Sequence, residues 1–289
     1  MIPIPPGGGP DVVGRLLAVR LGEALGQPVV VENRVGGNGT VAGEAVAKAA
    51  PDGHTLLLGM DSLIVINPHL YARMPFDPLT ELQPVASLVS NGFFLVVHPQ
   101  LPVHTLAEFV EHARRAPAPL HFASGGNGSQ HHLTMERLKA RAAIPLVHVP
   151  YKGGAPATTA TVAGEVAAMM SGTSTAPQIR AGRLRVLAYT GPKRSSVLPD
   201  VPTISESYPD FEMTQWYGLF AAPGTSEPVL SRLRAEVNRV LALPDTRERL
   251  HNAGGVEPWI TTPEEFALAI RQDYAKYSRL VREVGVRID

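Results

Sequence analysis

Short β-branched runs alternate with helical periods along this chain, and the alternation starts twice. In the first passage Val13, Leu16, Leu17, Leu21, Ala24 and Leu25 fall on one helical face. Val29-Val30-Val31 follows as a buried-strand run ending at Glu32-Asn33, then a helix over residues 40–50 and a strand over residues 54–60. After a connecting region with Pro68, Pro75, Pro78 and Pro84, a strand over residues 93–98 leads to a crossing point at Pro99-Gln100-Leu101-Pro102. The alternation then restarts. A helix over residues 105–116 opens with Thr105 and Glu108 in capping-box spacing. Strands follow over residues 120–123, 146–149, 166–170 and 184–190, with a helix over residues 129–143. An extended run over residues 211–222 reaches a second crossing at Ala222-Pro223-Gly224-Thr225, and the remainder is helical.

This alternation predicts an α/β chain with mostly parallel sheets. The C-terminal helices have no sheet of their own, so they cover one already made. Two lobes follow: residues 1–98 with 222–289, and residues 99–221 inserted between them. Two crossing strands form a hinge, and the cleft between the lobes is the expected site.

Two glycine-rich turns each open a helix. One is Pro5-Pro6-Gly7-Gly8-Gly9-Pro10-Asp11; the other is Ser124-Gly125-Gly126-Asn127-Gly128-Ser129-Gln130-His131-His132. Glycine lets backbone N–H groups approach a ligand closely, and a helix N-terminus favours negative charge. Taken singly, each turn is an ordinary strand-to-helix connection. As a pair in different lobes they point to a small anion held between them. Asp11 is expected as an N-cap and Gly26 as the residue closing the helix, with Pro28 beyond. Asp61 and Ser62 follow a strand, where ligands bind in open α/β sheets.

Composition narrows the function. The 26 basic and 26 acidic residues cancel, which argues against nucleic-acid binding. There is no cysteine, hence no disulfide framework, thiolate metal site or cysteine nucleophile. Apolar runs are too short to span a bilayer. Met1 leads straight into Ile2-Pro3-Ile4-Pro5-Pro6 with no signal-peptide pattern, so the start is expected to fall inside the first strand, through truncation or a late-assigned start.

The motifs, in order, are Pro5-Pro6-Gly7-Gly8 with Asp11; Gly26-Gln27-Pro28-Val29-Val30-Val31-Glu32-Asn33; and Ala50-Pro51-Asp52-Gly53-His54-Thr55-Leu56-Leu57. Then come Ser124-Gly125-Gly126-Asn127-Gly128-Ser129 with His132, His148-Val149-Pro150-Tyr151-Lys152-Gly153, Leu198-Pro199-Asp200-Val201-Pro202-Thr203, and Ala222-Pro223-Gly224-Thr225. In this order the chain resembles, over nearly its whole length, the substrate-binding proteins of the tripartite tricarboxylate transporters, the Bug family. The resemblance implies a type 2 periplasmic-binding-protein fold: two α/β lobes, a two-strand hinge and a ligand cleft. It implies a monomeric, non-enzymatic receptor without cofactor or metal, periplasmic in its full-length form. The implied ligand is a di- or tricarboxylate, amino acid or aromatic acid. The implied partner is a pair of transporter membrane subunits or, alternatively, a membrane sensor kinase. The family normally carries an export signal and a complete first strand, which this sequence departs from.

The resemblance places a ligand carboxylate on backbone N–H groups of Gly7, Gly8 and Gly9, beside Pro6 and Asp11, and of Ser124, Gly125, Asn127, Gly128 and Ser129. Asp61, Ser62, Tyr151, Lys152, Thr173 and Ser174 follow strands and are expected to face the cleft. Asp61 either caps the next helix or attracts a ligand amine. His132 is expected to donate a hydrogen bond that shapes its own loop, and His148 to be structural. Trp216 and Tyr217 are expected to pack under the hinge, with Trp216 at the cleft mouth as the functional variant. A hydrolase using Ser129 and His132 is the remaining alternative; no Gly-x-Ser-x-Gly elbow and no third acid support it.

Overall fold

The computed structural model describes residues 1–7, 9–252 and 256–287. Its helices are α1 Gly9–Leu25, α2 Thr40–Ala47, α3 Asn67–Leu70, α4 Leu106–Arg115, α5 Gln130–Ala142, α6 Gly154–Ala163, α7 Ala176–Arg180, α8 Glu227–Ala242, α9 Pro244–Asn252 and α10 Pro263–Val284. Its strands are β1 Leu56–Met60, β2 Gln83–Gly92, β3 Phe94–Val97, β4 Leu120–Ser124, β5 Leu146–Pro150, β6 Ala168–Ser171, β7 Arg185–Tyr189, β8 Thr214–Ala221 and β9 Glu257–Pro258. None of the described helices is long and apolar enough to cross a membrane.

The chain divides into two units, one holding Met1–Ser90 with Gln215–Arg282, the other Asn91–Thr214. The sheet of the first unit has the order β1-β8-β2-β9, with β1 antiparallel to β8 and β2 antiparallel to β9. Val13, Leu17 and Leu21 recur at helical spacing on α1 and are buried together with Leu58, Leu219, Leu230, Val237 and Leu241. Thus α1 and α8 cover the same sheet. An aromatic cluster joins the rings of Trp216, Phe220, Trp259 and Phe266 elsewhere in this unit.

The second unit carries the order β5-β4-β6-β3-β7. Here β4 is parallel to β5 and β6, while β3 is antiparallel to β6 and β7. The expectation of mostly parallel sheets therefore holds only for β5-β4-β6. These three are linked by the helical crossovers α5 and α6, which parallel neighbours require. β3 enters the unit without such a crossover and runs against its neighbours.

The strand pairing also moves the expected boundaries. Residues 94–97 bond into the second sheet rather than the first, and residues 217–221 pair with β1. The divisions fall at Ser90/Asn91 and Thr214/Gln215 instead of 98/99 and 221/222.

The Val29-Val30-Val31 run is not a buried strand. Val30 is 82% exposed, Val29 is exposed as well, and the segment forms one isolated parallel bridge, Asn33 to Ile2. On its other side the N-terminus bonds to β1: the Met1 amino group donates to the Leu56 carbonyl (2.6 Å) and Leu58 N–H to the Met1 carbonyl (2.9 Å). Residues 1–2 thus lie between residues 32–34 and β1, with Ile2 buried.

Candidate functional site

In the first unit the glycine turn and the end of β1 leave neighbouring strands at the same edge. The turn is held by one buried carboxylate. Asp11 Oδ2 accepts from Gly7 N–H (2.9 Å) and Arg15 Nε (2.9 Å), and Asp11 Oδ1 accepts from Asn33 Nδ2 (2.8 Å). Asn33 Nδ2 also donates to the Ile4 carbonyl (3.0 Å), and Arg15 Nη2 donates to Asn33 Oδ1 (2.9 Å). The Arg15 hydrogen bond is the main reason the Asp11 carboxyl titrates down at about 2, with Gly7 and Asn33 adding to it against burial. Asp11 lies inside the first turn of α1 and so is not its N-cap. Its carboxylate braces the loop, and Gly7 N–H is already engaged by it.

Gly7 has φ +87°, a left-handed conformation that favours glycine. Pro6, Gly7 and Gly9 are exposed, whereas Gly8 lies outside the described residues. Pro10 has no N–H. The first-turn donors with no preceding helical carbonyl are therefore those of Gly9 and Asp11.

Asp61 is 1% exposed and also serves the backbone. Its Oδ1 accepts from Ser62 N–H (2.7 Å) and its Oδ2 from Trp216 N–H (3.2 Å). It caps the π-helical turn Ser62–Ile66, the role weighed against amine recognition above. Trp216 is 2% exposed, and its Nε1 donates to Asp273 Oδ2 (2.7 Å). The indole is packing, not a cleft mouth.

In the second unit, three loops leave the carboxyl ends of the parallel strands β5, β4 and β6. This edge is where open α/β sheets bind ligands. The loop after β4 carries the second glycine turn. It is bonded to the loop after β5 through Tyr151 N–H to the Ser124 carbonyl (3.0 Å) and Gly153 N–H to the Gly125 carbonyl (3.2 Å). A Cβ on Gly125 would lie 3.2 Å from His131 Nδ1 and 3.3 Å from the Gly154 nitrogen. Only glycine leaves room for that approach without displacing its neighbours.

A hydroxyl and two imidazoles fix this loop from below. Ser124 Oγ lies 2.6 Å from His148 Nε2 and accepts from Gly126 N–H (3.1 Å). His132 Nδ1 accepts from Gly128 N–H (3.1 Å), so the ring accepts the hydrogen bond it was expected to donate. The rings of His132 and His148 stack at 3.7 Å and 8°. Burial pushes His132 down to about 3, helped by His148 and Lys139, and pushes His148 down to about 4, helped by Lys139. Burial alone takes His131 to about 4. All three are neutral at pH 7.

These bonds redistribute the expected donors. Ser129 N–H donates to the Gly126 carbonyl (3.1 Å), and Gly128 and Gly126 N–H are engaged as above. The Ser124 side chain is buried in the brace. Gly125 and Asn127 keep N–H groups with no intramolecular acceptor among the described residues. The first-turn N–H groups of Gly154 and Ala155, on α6, are in the same position and were not anticipated.

Ser129 caps α5, its Oγ accepting from His132 N–H (3.3 Å). Its hydroxyl has no bond to the imidazole, so the nucleophile–base pair of the hydrolase alternative is not formed. Lys152 is exposed and forms no ion pair among the described residues. Tyr151 Oη donates to Glu165 Oε2 (3.4 Å). Thr173 is buried and accepts from Asn91 Nδ2 (3.4 Å), and Ser174 is exposed beside it. No group of three or more His, Asp or Glu suited to a metal ion occurs among the described residues.

Asp11→Asn is expected to weaken the loop brace by about 1–3 kcal/mol, the scale of hydrogen bonds to charged groups. The Asp11 pKa is lowered on folding, so its stabilisation is present above pH 3.8 and is lost as pH falls towards 2. Urea unfolding at pH 7 and pH 2 checks this: the difference between wild type and variant should be present at pH 7 and shrink at pH 2.

The fold is that of the periplasmic binding proteins. It superimposes on an R. palustris protein solved with adipate with a TM-score of 0.89 and 30% identity, covering 99% of this chain and 96% of that one. MatC from Rhodopseudomonas palustris, solved with bound malate, gives a TM-score of 0.82 at 32% identity, covering 97% of each chain. Among relatives in sequence, protein BugT of Bordetella pertussis is 34% identical over 291 residues, spanning 100% of this chain and 89% of BugT. Residues 13–286 match the family described as tripartite tricarboxylate transporter family receptor. The chain belongs to that family of solute-binding receptors.

Proposed function

We propose that this chain is a periplasmic receptor that captures a small carboxylate-bearing acid and delivers it to the membrane subunits of a tripartite tricarboxylate-type transporter. The observation that carries this reading is the pair of braced glycine loops. Each opens a helix in its own unit, and each keeps N–H donors without an acceptor among the described residues, at Gly9 and Asp11 and at Gly125 and Asn127. Oriented amides and helix dipoles stabilise a carboxylate without an arginine. Hydrogen bonds to charged groups are worth about 1.5–3 kcal/mol each, so a few of them reach micromolar affinity, about −8 kcal/mol. Relatives solved with adipate and with malate support a carboxylate as the ligand class. Lys152, without an ion-pair partner among the described residues and next to the second loop, suits a second carboxylate. We assign the protein no enzymatic role.

A thermal-shift screen tests the reading. The panel is adipate, malate, citrate, succinate, glutamate, aspartate, nicotinate, benzoate and terephthalate, with the corresponding amides as controls. A ligand that binds only the folded state raises the melting temperature. The expected result is a shift with at least one acid and none with its amide. A cooperative transition that no acid shifts contradicts the carboxylate assignment.

A further inference from the structure

A buried phenol stands at the opening of α1 without a hydrogen-bond partner among the described residues. Tyr217 lies on β8, paired in register with Met60, and is 6% exposed among Val13, Leu58 and Leu219. Its hydroxyl reaches the glycine turn: a Cβ built on Gly9 would sit 3.1 Å from the Tyr217 oxygen. No group among the described residues exchanges a hydrogen bond with that hydroxyl. Nor is the oxygen one of the unpaired atoms sealed from solvent. Buried tyrosines ordinarily find a partner for their O–H. Here the ring is held by the core, and the one unsatisfied polar atom faces the N-terminus of a 17-residue helix.

Two further donors stand at the same place, the N–H groups of Gly9 and Asp11 in the first turn of α1. The Asp11 carboxylate is turned away onto Gly7, Arg15 and Asn33, so it does not occupy them. An O–H and N–H donors at a positive helix end, engaged by no acceptor among the described residues, form a seat for an anionic oxygen.

We propose that Tyr217 is a ligand-binding residue whose hydroxyl donates a hydrogen bond to a carboxylate of the bound acid, seated at the first turn of α1. This rests on the carboxylate-receptor reading above and adds a side-chain contact to it. The phenol suits the role chemically. Burial, and secondarily the Asp61 carboxylate, hold its pKa far above the ordinary value, so it stays a protonated donor at every physiological pH. A carboxylate accepts such a bond.

Tyr217→Phe removes the hydroxyl and keeps the ring. The probes are adipate and malate by isothermal titration calorimetry, with the acid panel by thermal shift. Tyr71→Phe, a substitution of another tyrosine in the same unit, is the control. The expected result is at least a tenfold weaker affinity in Tyr217→Phe for the acid that wild type binds, with Tyr71→Phe unchanged. The ligand-free melting temperature of Tyr217→Phe should equal or exceed that of wild type, because no intramolecular bond is lost. An affinity within twofold of wild type overturns the proposal and leaves the receptor reading standing. A lowered ligand-free melting temperature with unchanged affinity also overturns it, by showing a structural hydroxyl. Wild type that binds no acid of the panel overturns the receptor reading and this proposal together.

Discussion

Acidification from pH 7 to pH 4.5 is expected to lower the melting temperature of the second unit by about 20–30 °C. The cause is the group of neutral imidazoles beneath the glycine loop. His132, at about 3, and His131 and His148, each at about 4, all lie below the ordinary value of 6.5 in the folded unit. Between those values and pH 6.5 the unfolded chain binds more protons than the folded one. Stability is therefore fully present above pH 6.5 and falls as pH drops through the window, by about 1.4 kcal/mol per pH unit for His131 and His132 and by less for the half-buried His148, whose charge solvent screens. Protonation of His132 Nδ1 would also turn the acceptor of Gly128 N–H into a donor and add charge against the stacked His148 ring. Asp11 and Glu206 titrate at about 2 and keep their contributions down to pH 4.5. Calorimetry at pH 7, 5.5 and 4.5 checks the slope. His132→Asn and His148→Asn should each flatten it, and a wild-type transition independent of pH over this range would refute the account.

Trp216→Ala is expected to cost about 3–5 kcal/mol, the range for emptying a large aromatic site in a core. Its ring lies 5.5 Å from Phe266, 6.1 Å from Trp259 and 6.4 Å from Phe220, and strand pairing holds β8 in place. The surroundings therefore have little freedom to collapse into the space. Asp273 would lose the indole donor and keep Lys276, 2.6 Å away. Trp216→Phe keeps most of the volume and loses that bond, so a smaller cost of about 1–2 kcal/mol is expected. Denaturant unfolding followed by circular dichroism orders the three proteins. Equal midpoints for wild type and the alanine variant would mean that the cluster does not hold the first unit together.

The features legible in the sequence were local ones. The apolar face of α1, the N-cap at Thr105 and the glycine after α1 depend on residues within one or two turns. Spacing alone reports them. The positions of the glycine turns at helix openings were readable for the same reason, since strand, turn and helix follow one another in the chain. The family was legible because a run of such local motifs keeps its order from the first turn to residue 225.

The pairing of distant segments decided the rest. Val29-Val30-Val31 has the composition of a buried strand, but its neighbour in space is two residues long, and Val30 remains in solvent. Residues 94–97 read as the end of the first lobe and instead bond between β6 and β7. Which amides remain open to a ligand was also beyond the sequence. Gly7 N–H is taken by a carboxylate four residues on, and Gly128 N–H by an imidazole whose orientation depends on stacking against His148. Tyr217 read as packing because its ring is packing; only its proximity to Gly9, set by β8 lying beside β1, exposes the hydroxyl as an unpaired donor. By itself the sequence determined the local conformations, the order of the elements and the family. The tertiary structure decided which donors are left over, because a hydrogen-bond donor is available only when every nearby acceptor, near or far in the chain, has been accounted for.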